Sequence, residues 1–283
     1  MSTAWCNGVW SDSGEFTLPL DSPGLRFGAG VFETLFFNGK ECCHLQLHLQ
    51  RLSLALKGLG YPLPNHPWHS IVCEVASRNL PAGTPGRINI LCWFADDEGA
   101  ISVAVTAHSY TPLPAEATLR ISLEHAMVGS PMPTLKTMNY LPHWLSWRRA
   151  KDSGFDDAAI LDSDGSILEC TRGSLVSMFP GGEMFSSSPK KRLASISLEL
   201  VASNRGLHFV LGADLFPQDS KVFYLNSLVG ARPVIALGSQ TFEPDFQTAS
   251  RLTALICPPA QAIGVRNNQL QPHPEPRAKG KQS

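Results

Sequence analysis

Charge of either sign is scarce in this 283-residue chain: Asp, Glu, Lys and Arg together make up 17%, and the net charge is -1 at pH 7. A near-neutral chain has no general electrostatic attraction to nucleic acid or to an anionic membrane surface. Long apolar runs are missing too, since none approaches the roughly 18 residues that a bilayer-spanning helix needs. Residues Met1 to Ser13 carry neither a basic leader nor a long apolar core, so no secretory signal is expected. The seven cysteines, at positions 6, 42, 43, 73, 92, 170 and 257, include no Cys-x-x-Cys pair. Structural zinc sites need such spacing, so no metal is expected. The thiols are expected to be reduced and mostly buried, in a cytoplasmic protein. What is present is an ordinary globular composition, 43% hydrophobic, in a chain long enough for one large domain or two modest ones.

The pattern along the chain predicts a mixed α/β organisation. Asn7-Gly8 turns a short hairpin, and the apolar run Val31 to Phe37 reads as a strand ended by Asn38-Gly39. Leucines at 45, 49, 52, 56 and 59 predict a helix from His44 to Leu59, and a second is expected over His69 to Arg78. Arg87 to Phe94 and Ile101 to Ala107 read as paired strands, and Thr111-Pro112-Leu113-Pro114 as a stiff spacer. Beyond it come a strand at Thr118 to Leu123, a helix at Tyr140 to Ser153, a hairpin about Asp162 to Gly165, a helix at Leu193 to Asn204, and strands at Val222 to Asn226 and Arg232 to Leu237. The polar end of the chain, rich in Pro, Lys and Gln, is expected to be disordered. The expected division is a small α/β domain over 1-110, a linker over 111-117, a larger domain over 118-268 and a tail over 269-283.

Lys136 is the most informative residue. It is the one charge in the stretch Ser130-Pro131-Met132-Pro133-Thr134-Leu135-Lys136-Thr137-Met138-Asn139-Tyr140-Leu141. A lysine confined among apolar groups is pushed toward its neutral amine, and a neutral amine attacks an aldehyde to form a Schiff base. The plainer alternative is a surface lysine at a helix start.

Several segments, in order, carry a resemblance: Arg26-Phe27-Gly28-Ala29-Gly30-Val31-Phe32-Glu33-Thr34-Leu35; His48-Leu49-Gln50-Arg51-Leu52; the Lys136 segment; Ile167-Leu168-Glu169-Cys170; and Leu225-Asn226-Ser227-Leu228-Val229-Gly230-Ala231-Arg232-Pro233-Val234. Together they resemble the class IV, fold-type IV family of pyridoxal-phosphate enzymes, from about Cys6 to Asp245. The resemblance implies a two-domain α/β (α+β) fold like that of D-amino-acid aminotransferase. Pyridoxal 5'-phosphate would lie between the domains, the substrate would be a small amino or carboxylate compound, and two copies would pair as a homodimer.

The same resemblance implies roles. Lys136 would hold the cofactor aldehyde and shuttle a proton at the substrate Cα. Glu169 would face the pyridine nitrogen and keep it protonated; otherwise it is a surface glutamate ending a strand. Tyr140 would hydrogen-bond the cofactor 3'-oxygen, or be a tyrosine of the core or an interface. Arg51 would grip the phosphate with paired donors, or snorkel from a helix flank. Ser227 would add its hydroxyl to that phosphate, beside backbone N–H groups of the following turn, or simply shape the turn. His48 is expected to pack structurally, and Thr34 to approach the substrate or pack in its strand.

Two departures stand out. Relatives carry a Gly-x-Thr/Ser-Arg-like turn before the helix whose start cradles the phosphate, whereas this chain reads Ser186-Ser187-Ser188-Pro189-Lys190-Lys191-Arg192-Leu193-Ala194-Ser195. Lys190, Lys191, Arg192 or the serines would have to substitute, or cofactor affinity would fall. Ser174 also stands where relatives often have Asn. The Arg-x-His pair of D-amino-acid aminotransferases is replaced by a run containing Asp96, Asp97 and Glu98, acids that would repel a substrate carboxylate if they faced the site. The Gly-x-Gly-Val-Phe-Glu-Thr and Asn-Ser-Leu-x-Gly-x-x-Pro-Val forms look most like 4-amino-4-deoxychorismate lyase, an enzyme of folate biosynthesis. An amino-acid aminotransferase, branched-chain type before D-amino-acid type, is the alternative. A non-enzymatic relic with weak cofactor retention is the third reading.

Overall fold

The computed structural model describes residues 2-125, 134-210 and 215-260. The expected tail, and Pro131 and Pro133 ahead of Lys136, lie outside the described residues.

The N-terminal half forms β1 (Ala4–Cys6), β2 (Val9–Ser11), α1 (Pro23–Phe27), β3 (Gly30–Phe37), α2 (Leu45–Gly58), α3 (Trp68–Asn79), β4 (Gly86–Phe94) and β5 (Ile101–Ser109). Its strands make an antiparallel sheet in the order β2-β1-β5-β4-β3. Alternate strand residues point to opposite faces, and the sequence uses both. Val31, Leu35, Ile88, Ile90 and Cys92 are buried with Leu52, Leu56, Val72 and Val75 from the two helices. Phe32, Thr34, Arg87 and Asn89 belong to the other face and line a cavity.

The C-terminal half forms β6 (Leu119–His125), α4 (Leu141–Asp152), β7 (Asp157–Leu161), β8 (Ile167–Cys170), β9 (Ser174–Met178), β10 (Met184–Ser187), α5 (Ile196–Arg205), β11 (Leu207–Val210), β12 (Lys221–Asn226), β13 (Gly230–Leu237), β14 (Gln240–Thr241) and α6 (Phe246–Ile256). The strand order is β11-β10-β9-β12-β13-β6-β7-β8, with β14 paired to β13. Strand β12 shows the alternation clearly. Phe223 and Leu225 pack with Leu198, Val201, Leu252 and Ile256 of α5 and α6, while Val222 and Tyr224 join Ile121, Ala159, Cys170 and Val234 on the opposite face. Residues 110-118 join the two sheets, and Arg232 Nη2 donates to Leu113 O in this connection at 2.7 Å.

Two local differences from the sequence reading have plain causes. The helix expected from Leu193 starts at Ile196, because Pro189–Lys191 form a 3-10 turn and Ser195 is the N-cap, its side chain accepting from Leu198 N. Helix α6 was not expected, yet Asp245 caps it by accepting from Thr248 N, and Ala249, Leu252 and Ile256 form its buried stripe.

Candidate active site

The Lys136 segment is not helical. It lies along the free edge of β3: Phe32 N donates to Lys136 O at 2.9 Å, Met138 N donates to Gly30 O at 2.8 Å, and Thr137 bridges Val31. The approach is close enough to explain Gly30, where an added Cβ would meet Cys92 O at 2.5 Å and Met138 Sδ at 2.6 Å. Gly28, with φ of 62°, caps α1 in the left-handed region that glycine tolerates.

The amine of Lys136 then sits in an aromatic corner. Nζ is 4.4 Å from the Phe32 ring centre, 4.5 Å from the Tyr140 ring centre and 3.3 Å from Tyr140 Oη. Desolvation, reinforced by the charge of Arg51, lowers its pKa to about 8, although Glu33 and Glu169 pull the other way. Tyr140 is the N-cap residue of α4. Burial, with help from the Glu169 charge, raises its pKa. Its ring stacks on His143 at 4.5 Å, and His143 Nε2 is 3.7 Å from Glu169 Oε1. Glu169 comes from β8, in register with Ile160 of β7.

Arg51 of α2 lines the cavity and is paired behind it with the buried Glu33 of β3. Arg51 Nε and Nη2 donate to the two Glu33 oxygens at 2.7 and 2.6 Å, and Nη1 donates to Ala194 O at 2.8 Å. His48 Nδ1 meets Glu33 Oε2 at 2.7 Å; a carboxylate only accepts, so Nδ1 carries the hydrogen. Burial alone would raise the Glu33 carboxyl, but the charge and hydrogen bonds of Arg51, with those of His48, bring it down to about 2. Desolvation outweighs Glu33 at His48 and lowers its pKa, leaving it neutral at pH 7. The expected paired donors of Arg51 therefore face Glu33. Glu33 is a residue to which the sequence reading assigned no part.

Lys136, Tyr140, Glu169, Arg51, Ser227 and Thr34 all line one cavity of about 770 Å³ between the two sheets. Thr34 Oγ1 accepts from Asn89 Nδ2 at 2.9 Å, which leaves the hydroxyl hydrogen free to donate. The N–H groups expected beside Ser227 are not available. Those of Leu228 and Val229 donate to Asn226 Oδ1 at 2.9 and 2.7 Å. Arg192 also fails as a substitute anion ligand. It is 1% exposed, and its guanidinium bonds Ser187 O and Leu193 O. Lys190 is exposed and away from the cavity lining, and the side chain of Lys191 lies outside the described residues.

The missing turn is in fact present in altered form. Ser195-Ile196-Ser197 opens α5, and all three line the cavity. The glycine and the arginine of a Gly-x-Thr/Ser-Arg pattern are replaced, by Ser195 and Leu198. At a helix start the first N–H groups have no partner within the helix and favour an anion. Asp96, Asp97 and Glu98 lie in the β4–β5 turn, where Asp96 Oδ1 accepts from Ala100 N at 2.9 Å, and none lines the cavity. Their expected repulsion of a substrate carboxylate has no basis in this cavity.

A two-sheet α/β fold with a desolvated lysine, a carboxylate and a helix start around one cleft defines a class of cofactor-dependent enzyme. The family model for class IV amino-transferases matches residues 30-237, and the chain belongs to that family. Its members depend on pyridoxal phosphate, and so does this enzyme. The chain is 28% identical over 165 residues to a bifunctional aminodeoxychorismate lyase / D-amino acid transaminase of Mycobacterium tuberculosis, covering 53% of this chain and 56% of that one. The chain thus spans little more than half the length of this relative. Among solved structures, a fold IV transaminase of Curtobacterium pusillum superposes with a TM-score of 0.77 at 22% identity, covering 88% of this chain and 93% of the other. The PLP-bound form of a hypothetical aminotransferase from Mycobacterium tuberculosis superposes with 0.75 at 22% identity, covering 90% and 99%. At such identities the superpositions speak for the fold. No described helix is long and apolar enough to cross a membrane, and no metal-binding cluster occurs among the described residues.

The cavity fits the cofactor on its own chemistry. It holds an amine poised for an aldehyde, a carboxylate for a ring nitrogen, and an anion-favouring helix start beside a guanidinium. The relic reading, which rested on a damaged phosphate turn, loses that basis at Ser195-Ile196-Ser197.

Proposed function

We propose that this enzyme is a 4-amino-4-deoxychorismate lyase, releasing pyruvate and leaving 4-aminobenzoate, an activity of folate biosynthesis. The observation that carries the reading is Thr34. Its hydroxyl is oriented by Asn89 and lines the same cavity as the Lys136 amine. The elimination needs one group to take a proton from carbon and another to give one to the departing enolpyruvate, and these two suit those tasks. The bifunctional relative, named for a lyase as well as a transaminase, supports the same choice.

Bound pyridoxal phosphate supplies an electron-accepting ring that stabilises the charge left on the substrate carbon. Lys136 serves as the attachment point and then as the base, a role suited to a pKa of about 8. Tyr140, kept protonated by its raised pKa, would donate toward the ring oxygen. Glu169, 3.7 Å from His143 Nε2, would accept from the ring nitrogen. Ser227 and the Ser195-Ile196-Ser197 helix start would hold the phosphate, and Arg51, three of whose five N–H groups already donate to Glu33 and Ala194, would add the remaining two. Thr34 donates its proton to the leaving enolpyruvate.

We place the domain boundary at residues 111-117 and the protein in the cytoplasm. We also infer a homodimer, supported by the apolar surface of Leu20, Leu25 and Phe27, which are 86%, 51% and 61% exposed. The function is tested by supplying 4-amino-4-deoxychorismate without any 2-oxo acid. Pyruvate and 4-aminobenzoate should appear in equal amounts. Turnover that requires a 2-oxo-acid acceptor would instead identify an amino-acid aminotransferase, which the family equally allows.

A further inference from the structure

We propose that Arg87 and Arg172 form a two-armed clamp for a second carboxylate on the substrate, so that this cavity selects dicarboxylates over monocarboxylates. The proposal rests on the reading of the cavity as the substrate site.

Both arginines line the same cavity, Arg87 from the N-terminal sheet and Arg172 from the C-terminal one. Arg87 is on β4, on the face shared with Asn89, and has no hydrogen-bond or ion-pair partner among the described residues. Arg172 sits in the turn between β8 and β9. That turn is fixed three times: Cys170 N donates to Gly173 O at 2.8 Å, Thr171 N to Ala158 O at 2.9 Å, and Asn226 Nδ2 to Arg172 O at 3.1 Å. The Arg172 side chain is further held over the Trp147 ring, 4.4 Å from its centre. A guanidinium aimed in advance loses less freedom on binding a carboxylate.

Asp156 and Asp157, two of the three acids lining the cavity, accept from other donors, and Asp157 also makes a long ion pair with Arg172. Asp156 accepts from Arg120 N. Asp157 accepts from the hydroxyls of Tyr224 and Thr171 and from Ala158 N, and Arg172 Nε reaches it only at 4.0 Å. The Arg172 side chain is 52% exposed, so its outer N–H groups remain open. Arg51, by contrast, is already bound to Glu33 and Ala194. Two cations lining one cleft, Arg87 without a partner among the described residues and Arg172 with only the Trp147 ring and a 4.0 Å approach to Asp157, suit a ligand carrying two carboxylates, because each Arg–carboxylate pair is a charge-assisted and geometrically selective bond.

The test is isothermal titration of the pyridoxal-phosphate-loaded protein with isophthalate and with benzoate at fixed ionic strength. Wild type should bind isophthalate at least about tenfold more tightly than benzoate. Arg87→Gln and Arg172→Gln should each bring that ratio below about threefold, with unchanged melting temperature and circular dichroism. Equal binding of the two probes by wild type, or a preference that survives in either variant, overturns the clamp. A retained isophthalate preference without pyruvate release would remove the lyase and leave the clamp standing. The reverse pattern would remove the clamp alone.

Discussion

Arg51 and Glu33 are joined in a two-pronged ion pair, with Nε and Nη2 on separate carboxylate oxygens at 2.7 and 2.6 Å, and Glu33 is fully buried. Breaking a buried pair leaves a charge without compensation and costs about 3–5 kcal/mol. Glu33→Gln is therefore expected to lower stability by about that amount. It should also weaken cofactor binding, since Arg51 loses its aim. Urea unfolding and a cofactor titration measure the two effects separately.

Acid should expose the same pair. Arg51 and His48 hold the Glu33 carboxyl at about 2 in the folded chain, below its ordinary value of 4.5, so its contribution is complete above about 4.5 and is lost as pH falls toward 2. The shift corresponds to on the order of 3 kcal/mol. His48 is buried neutral with its pKa below 6.5, so the unfolded chain gains a proton first and stability starts to fall below about 6.5. Melting temperatures between pH 7 and pH 3 should decline steadily. Glu33→Gln should keep the His48 part of the decline and lose the part below 4.5.

Lys136 titrates in the same sense, at higher pH. Its pKa falls from 10.5 to about 8, so the cost of burying its ammonium is greatest below pH 8 and disappears as pH rises to about 10.5. The rate at which cofactor-free protein couples to pyridoxal phosphate should reach half its maximum near pH 8. A midpoint above 10 would mean that the amine is solvated.

Ser197 is expected to hold the cofactor phosphate at the start of α5. A hydrogen bond to a charged group is worth about 1.5–3 kcal/mol, so Ser197→Ala should raise the cofactor dissociation constant by about tenfold or more. Fluorescence titration would show it. The Lys136 adduct should still form at saturating cofactor, since the serine does not touch the amine in this account.

Much of this was legible in the sequence where periodicity was strong. The leucine stripe of α2 and the alternation of β3 and β4 follow from one-face burial, and both appear near their expected limits. Strands β9, β10 and β11 were not legible. Ser174–Met178 and Met184–Ser187 are short and serine-containing, and their order in the sheet is decided by distant partners such as β12. The site residues could be picked out singly, but their pairings could not. Nothing in the Arg51 motif says that Glu33, on another element, takes its fork. The serine turn at 195-197 was obscured by the basic residues before it, of which Arg192 is turned inward. A Ser three residues before Leu198, at the head of an apolar helix, was the available signal.

The most direct measurement is borohydride reduction of the pyridoxal-phosphate-loaded protein followed by peptide mapping. One reduced cofactor adduct per chain is expected, on Lys136, and none in Lys136→Ala. An adduct on a different lysine, or none at all in the wild-type protein, would contradict it.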